Sequence, residues 1–407
     1  MLVSKNFSDL VTFARASARW RFSSGGLLVQ DAANVPSLDY DPITLAPRGL
    51  LVEEARTNLL LSSMYGGSVG VGPYYDITLV NSLIAGQQAR KFVMKGAGGP
   101  NSPSTGGFQF TSTGAMCAWS IVEADPGSVA GAITRLVFYK TSGAPGVWGG
   151  INLDLTTGVA TLASGSGTVT YGVTKLSNSG PNGGAVYLIW TATTNAGGET
   201  LNAYPYAITD GTASGTGKSV IVHHHQMEAG AYPSSVIVTT SAQATRAADN
   251  ATITDLSKIG FSQGEGTAYA EFVVPRLAAG IVGDTMQGVL TITDAALNNY
   301  LSVGVGATGA CSLYRKGAAS PAALNGANSL VPGSVAKVAF CYGSAQNDAI
   351  CLNGGAVASG SAGNPSGMTE MRLGRFAGNP GWLNGWLRNV RYFPRRFSNS
   401  ELQALTA

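Results

Sequence analysis

All three histidines of the chain stand in one row, His223-His224-His225, inside the run KSVIVHHHQMEAG. On a strand alternate residues share a face, so His223 and His225 point one way and His224 the other. Two imidazoles at that spacing fit a shared metal ion, yet a zinc centre takes a third protein ligand, and a catalytic one also an activating carboxylate. Glu228 stands too close along the same strand to supply either. The row reads as ordinary strand histidines, and no metal or other cofactor is expected.

Glycoside hydrolysis needs two carboxyl groups about 5–10 Å apart. Glu123 and Asp125 in SIVEADPGS share a strand face, but Pro126 and Gly127 end the strand at once and no third acid follows. No nucleophile elbow, zinc-protease helix, phosphate-binding loop or dinucleotide fingerprint is present. Asp284 and Asp294 lie on either side of a strand and form no compact calcium set. No catalytic residue is assigned, and the chain reads as a non-enzyme.

Aromatic rings offer a different chemistry, because an exposed indole stacks on a sugar while nearby amides bond its hydroxyls. Trp382 and Trp386 in GNPGWLNGWLRNVRYF, with Asn379 and Asn384 beside them, are the carbohydrate-binding candidates. Trp382, in a loop, is the better placed, whereas Trp386 has the pattern of a core residue. Tyr74, Tyr75 and Trp148 are weaker loop candidates of the same kind.

These side chains need a scaffold, and composition indicates which. The 407 residues exceed one typical domain of roughly 100–200 residues. Glycine is abundant, at 55 residues, and accompanies many Ser, Thr, Val and Asn, as in short strands joined by tight turns. Charged residues make up 12 % and the net charge is +3 without a basic block, which argues against nucleic acid as a ligand. No apolar run is long enough to span a bilayer and the N-terminus lacks a signal-peptide core, so no membrane insertion is expected and synthesis in the cytoplasm is. The four cysteines are too few for a disulfide framework; Cys341 and Cys351, flanking a hairpin, are the one pair worth checking.

Along the chain, residues 1–60 collect Arg15, Arg19, Arg21, Arg48 and Arg56 with Pro36, Pro42 and Pro47, which predicts an extended segment. Its ion pairs, if exposed, are worth about 0–1 kcal/mol each. Residues 61–245 alternate short apolar runs with turn clusters, as an antiparallel sandwich does, and ITRLVFYK has the two-sided apolar pattern of a central strand. SAQATRAADNATITDL reads as a linker, and residues 246–407 form a second sandwich. Ser398 and Glu401 stand at capping-box spacing, with Phe397 and Leu402 positioned as a staple, so one short C-terminal helix is predicted. The fold class is all-β: two antiparallel, jelly-roll or lectin-like sandwiches preceded by an extended segment.

Three stretches carry a resemblance. DYDPITLAPRGLLVEEARTNLLLSS resembles an Arg-Gly-Leu-Leu-Val-Glu-Glu-x-Arg-Thr-Asn-Leu-Leu motif of tailed-bacteriophage virion proteins of the head-fibre, head-spike and tail-fibre type. HHHQMEAGAYPSSVIVTTSAQATRAADNATI is similar to the segment closing a carbohydrate-binding-module-like sandwich in those proteins, with Met227 for the usual Leu and Val236 for the usual Tyr. The last stretch is similar to concanavalin-A-like or laminin-G-like domains. If Leu387, Val390 and Tyr392 are core positions of that last strand, their spacing predicts a β-bulge near Arg388 and Asn389.

The resemblance implies a virion structural protein, assembled in the host cytoplasm, with Arg48, Glu53, Glu54, Arg56 and Asn58 in an attachment segment. Its implied partners are other virion proteins and host polysaccharide or lipopolysaccharide, and its implied assembly is a homo-oligomer, a trimer. The leading reading is a fibre, spike or tail-tip protein that recognises host surface glycan. A decoration or connector protein without sugar binding is the alternative, and a polysaccharide depolymerase is a third that the missing acid pair argues against.

Overall fold

The computed structural model describes residues 4–63, 75–95, 109–110, 113–206, 215–277, 286–317, 322–343, 348–360, 366–377 and 381–407. The chain is all-β, with every named strand pair antiparallel, and two stacked pairs of sheets form the two sandwiches. A six-stranded sheet has Gly114–Ala124 and Ser219–Ala229 at its centre, flanked by Val186–Asn195 and Gln88–Met94. A five-stranded sheet built round Ile133–Lys140 packs on it. The core between them holds Phe92, Met116, Ala118, Leu136, Phe138, Ile151, Ile189 and Met227. ITRLVFYK is a central strand, as its pattern predicts: Leu136 and Phe138 face that core, while Arg135 on the other face bonds Asn152.

Two seven-stranded sheets make the second sandwich, with Met286–Thr293 central in one and Glu265–Val273 and Gly385–Phe393 adjacent in the other. Phe272, Val289, Ile292, Val303, Leu313, Phe340, Ile350 and Leu387 fill it. The predicted bulge is present: Tyr269 pairs with Arg391 but Glu271 pairs with Arg388, and Asn389 takes a φ of 52°. The C-terminal helix Asn399–Thr406 carries the full capping box, the Ser398 Oγ accepting from the Glu401 N–H and the Glu401 carboxylate from the Ser398 N–H. Phe397 and Leu402 are both buried, and the helix covers Cys341 and Cys351. Those two cysteines are free, because Cys341 pairs with Ala349 and Ala339 with Cys351, which offsets the thiols along the hairpin.

Residues 4–60 are mostly extended, apart from the short helix Phe7–Leu10, and they are woven into the sheets. Pro47–Val52 pairs with Gly385–Phe393 and extends the second sandwich, Thr12–Ala14 pairs with Asn250–Ile253, and Arg56–Asn58 pairs with Ala244–Arg246. The hairpin of Arg19–Phe22 and Leu28–Asp31 lays Trp20 and Leu28 against Trp119, Ile121, Leu176 and Val236 on the outer face of the six-stranded sheet. Ser219–Val222 and the residues through Glu228 are all buried as well: one face meets the sandwich core, and on the other His223 meets Leu83, Gln226 meets Ile237 and Glu228 meets Ser234.

Within the stretch expected as a linker, Arg246 and Asp249 are drawn into a buried knot. Asp249, 1 % exposed, pairs with Arg15 at 3.2 Å and Arg19 at 2.6 Å and accepts from the Glu53 N–H at 2.8 Å. Glu53 pairs with Arg19 at 2.7 Å and Arg246 at 3.3 Å. Arg15 and Arg19 thus find a partner, Asp249, 230 or more residues away and out of water, and the low value expected of exposed pairs does not apply to them. Burial alone would raise the Glu53 carboxyl, but Arg246 and Arg19 hold it down to about 2.

Candidate functional site

The sugar-binding candidates from the sequence separate in space. Asn379 lies outside the described residues, as does Tyr74. Trp382 is half-buried, donates its indole N–H to the Asp249 carbonyl at 2.8 Å and lies under the Arg375 guanidinium. Its ring packs against the second core, so it ties the last strands to the knot. Tyr75 is core, edge-on to Phe92, and Trp148 bonds Thr193 within the first sandwich. Trp386, the ring expected to be core, lines a cleft of about 520 Å³ between the two sandwiches.

That cleft is built from both sandwiches and the N-terminal segment. Its floor is the outer face of the six-stranded sheet, with Trp119, Ile121, Leu176 and Leu188. One wall is the end of the second sandwich, with Val273, Arg276, Asn384, Trp386 and Arg388; the other carries Trp20, Phe22 and the 41–48 turn, and Tyr232 to Val236 close it. Ligand sites favour such domain junctions, where apolar walls and a few fixed polar groups meet.

The polar groups are held in place by local structure. Asp39 accepts from the Phe22 N–H at 2.8 Å and the Trp386 indole N–H at 2.7 Å, which fixes the indole plane against the wall. Burial pushes the Asp39 carboxyl above its ordinary value, against those bonds. Arg48 lies 4.5 Å over the Trp386 ring and pairs with Asp41 at 2.7 Å. Burial would raise Asp41, but the N–H groups of Thr44 and Ile43 and the Arg48 charge outweigh it and hold the acid below its usual range. Asn384, at a φ of 47°, accepts from the Glu54 N–H through Oδ1, while its buried Nδ2 has no partner among the described residues.

The residues expected in an attachment segment serve this junction. Arg48 lies over Trp386, Glu53 belongs to the knot, Glu54 pairs with Arg56 at 2.5 Å, and Arg56 also donates to the Ala229 carbonyl. Asn58 is buried, donating to the Ile237 carbonyl at 2.8 Å and accepting from the Leu60 N–H. Arg276, Tyr232 and Trp20 were not singled out from the sequence. The only signal for them was an Arg beside Pro275 at a strand end and aromatics near Pro233 and among the N-terminal arginines.

The other candidates are inward-facing. The register shift between Ile121 and Val122 inserts His223 as an extra residue, so the simple alternation expected for the histidine row fails. His223 accepts from the Leu83 N–H and reaches Glu123 at 3.0 Å; His224 packs its ring 5.0 Å from that of Trp119; His225 lies on the other face, 2.7 Å from Ser120 Oγ. Glu123, fully buried, is also bonded by Asn182 and the Gly184 N–H, and Asp125 pairs with Lys91 and bonds Ser219. Neither carboxyl lines the cleft. Among the described residues no group of three or more His, Cys, Asp or Glu side chains is placed to hold a metal ion, and no helix is long and apolar enough to cross a membrane. Asp294 accepts from the Asn298 and Asn299 N–H groups within its own turn, and Asp284 lies outside the described residues.

No family model and no curated protein matches the chain. Among solved structures it is similar to a heptameric SAP-like pentraxin from Limulus polyphemus, at 12 % identity over 35 % of this chain and 70 % of that one, with a TM-score of 0.28. It is also similar to the CBM40 of the Ruminococcus gnavus IT-sialidase, bound there to α2,6-sialyllactose, at 14 % identity over 35 % and 84 % with a TM-score of 0.26. Mouse laminin α1 domains LG4–5 share 11 % identity over 74 % and 92 %, with a TM-score of 0.25.

Proposed function

We propose that this chain is a glycan-recognition protein of a bacteriophage particle, a fibre, spike or tail-tip component, and that host surface polysaccharide or lipopolysaccharide enters the cleft between its sandwiches. The observation that supports the reading is the Trp386 wall: an indole whose plane is fixed by Asp39, backed by Arg48 and flanked by Asn384, with Trp20, Phe22 and Tyr232 lining the same cleft. Rings held at a cleft wall with a few fixed hydrogen-bonding groups are what a sugar, apolar on its faces and polar at its rim, requires. The virion setting rests on the N-terminal and junction motifs, and the residues of those motifs are the ones that build this junction.

Binding of the labelled protein to an array of bacterial surface polysaccharides tests the reading, with Trp386→Ala and Trp382→Ala alongside. Binding reduced by about tenfold or more in Trp386→Ala, about 1.4 kcal/mol, and retained in Trp382→Ala is expected. No binding by the folded wild type would overturn it. A decoration or connector role would then stand in its place, a role favoured by the exposed Leu79 and Leu162 on the edge strands Tyr75–Asn81 and Ala160–Ala163 and by Val159 just before the latter. Antibody labelling of purified particles tests the virion location.

A further inference from the structure

The cleft carries more cations than acids to match them, and one cation stands apart. Arg21 pairs with Asp31, Arg48 with Asp41 and Arg56 with Glu54, each within 2.8 Å. Arg276 pairs with no carboxylate among the described residues. Its guanidinium lies 4.6 Å from the Tyr232 ring centre and 5.2 Å from that of Trp190, and donates one bond from Nη1 to the Pro233 carbonyl at 3.2 Å. The two rings pack edge to face at 5.4 Å, so the cation is clamped by aromatic side chains and a proline carbonyl at the cleft wall. The acid whose field reaches it, Glu228, is engaged elsewhere, accepting from the Trp119 indole N–H and from Ser234. Burial lowers the Arg276 pKa, the mark of a charge taken partly out of water. Across the wall, Arg388 has a buried Nε with no hydrogen bond, its nearest carboxylate oxygen on Glu271 being 3.8 Å away.

We propose that Arg276 anchors a carboxylate-bearing sugar, so that the glycan taken by the cleft is acidic, a uronic- or sialic-acid polymer; this rests on the cleft being the glycan site. A guanidinium offers paired parallel N–H groups that match the two oxygens of a carboxylate, and packing it against two rings and the Pro233 carbonyl reduces the ordering cost of that bond. The rings of Tyr232 and Trp386 are then left for the faces of the acidic unit and its neighbours. A sugar phosphate would meet the same charge and the same fork, so hexose phosphates are the competing ligand that the experiment must exclude.

The test uses the full chain and uronate- and sialate-containing oligosaccharides, each in native and carboxyl-reduced form, with hexose phosphates as a third set. The expected results are that carboxyl reduction weakens binding by about tenfold or more, as loss of a charge-assisted bond should, and that Arg276→Gln binds native and reduced forms alike. Arg276→Lys, which keeps the charge without the fork, should fall between. Near-UV circular dichroism matching the wild type shows that the variants are folded. Equal binding of native and reduced oligosaccharides by the wild type would overturn this inference while leaving the glycan site intact. Hexose phosphates binding as tightly as the native oligosaccharides would overturn the carboxylate assignment. No binding of any probe, with Trp386→Ala indistinguishable from wild type, would instead remove the glycan site itself.

Discussion

Mild acid should destabilise this protein through two histidines, and the size of the effect follows from where they sit. His224 and His225 are fully buried, and burial lowers them from 6.5 to about 4 and about 3. Both are therefore neutral in the folded chain at pH 5, while the unfolded chain has taken up a proton on each. The unfolded state binds more protons, so stability rises with pH across this interval and is lost as pH falls from about 6.5. Each histidine contributes a loss of about 2 kcal/mol between pH 7.5 and 5, or about 4 kcal/mol together, at a slope that averages about 0.8 kcal/mol per pH unit for each and steepens to about 1.2 near pH 5. Glu53, at about 2 when folded, loses its stabilisation only between about pH 4.5 and 2, below this interval. Urea unfolding at half-unit steps from pH 7.5 to 5 measures the slope. His224→Gln, whose amide can reach the Gln226 Oε1 now bonded by the imidazole Nε2, should remove about half of it whatever its stability at pH 7.5. A wild-type loss below about 1 kcal/mol, or an unchanged slope in the variant, would refute the reasoning, because both histidines would then accept protons in place.

Asp249→Asn removes one carboxylate from the buried knot and leaves Arg15 and Arg19 short of a partner, so it should cost about 3–5 kcal/mol in urea or thermal unfolding. Ser398→Ala deletes the C-terminal cap and should cost about 1 kcal/mol, while Glu401→Gln, which keeps a side chain able to bond the Ser398 N–H, should cost less. All four thiols are buried, and burial pushes Cys311 to about 12 and Cys341 to about 11, so a thiol reagent at pH 8 should label none of them in the folded chain and all four in denaturant. Labelling of Cys341 or Cys351 before unfolding would show that the C-terminal helix does not seal them.

What could be read from the sequence was local. The capping box needs only Ser398 and Glu401 three apart, and the bulge only the spacing of Leu387, Val390 and Tyr392. The all-β class follows from period-two runs between glycine-rich turns, which are short-range signals as well. The cleft was legible only in part: Trp386 and Asn384 stood among the candidates, but the groups that set them at its wall come from far along the chain. Trp386 looks like a core tryptophan because it is on a strand, yet its indole N–H bonds Asp39, 347 residues away, and Arg48 covers its ring. Trp382 looks like a loop ring, yet it is engaged by Asp249 and Arg375. The histidine row was assigned faces by simple alternation, and one bulge residue was enough to break that assignment.

The buried knot also bears on how a cleft between two sandwiches keeps its shape. A junction held by apolar contact alone tolerates sliding, since any apolar face fits another tolerably well. Here Asp249 meets Arg15 and Arg19, Glu53 meets Arg19 and Arg246, and Trp382 bonds the Asp249 carbonyl, so four separate stretches of chain must arrive in one register or leave a buried charge unpaired. The penalty for a misaligned junction is therefore several times that of a misplaced methyl group. Glu53 lines the cleft and belongs to the knot at once, and Arg48 and Asp41 leave the same N-terminal segment to reach Trp386. The segment that distinguishes this chain from two joined sandwiches is thus what sets both the registration of the junction and the wall of the cleft.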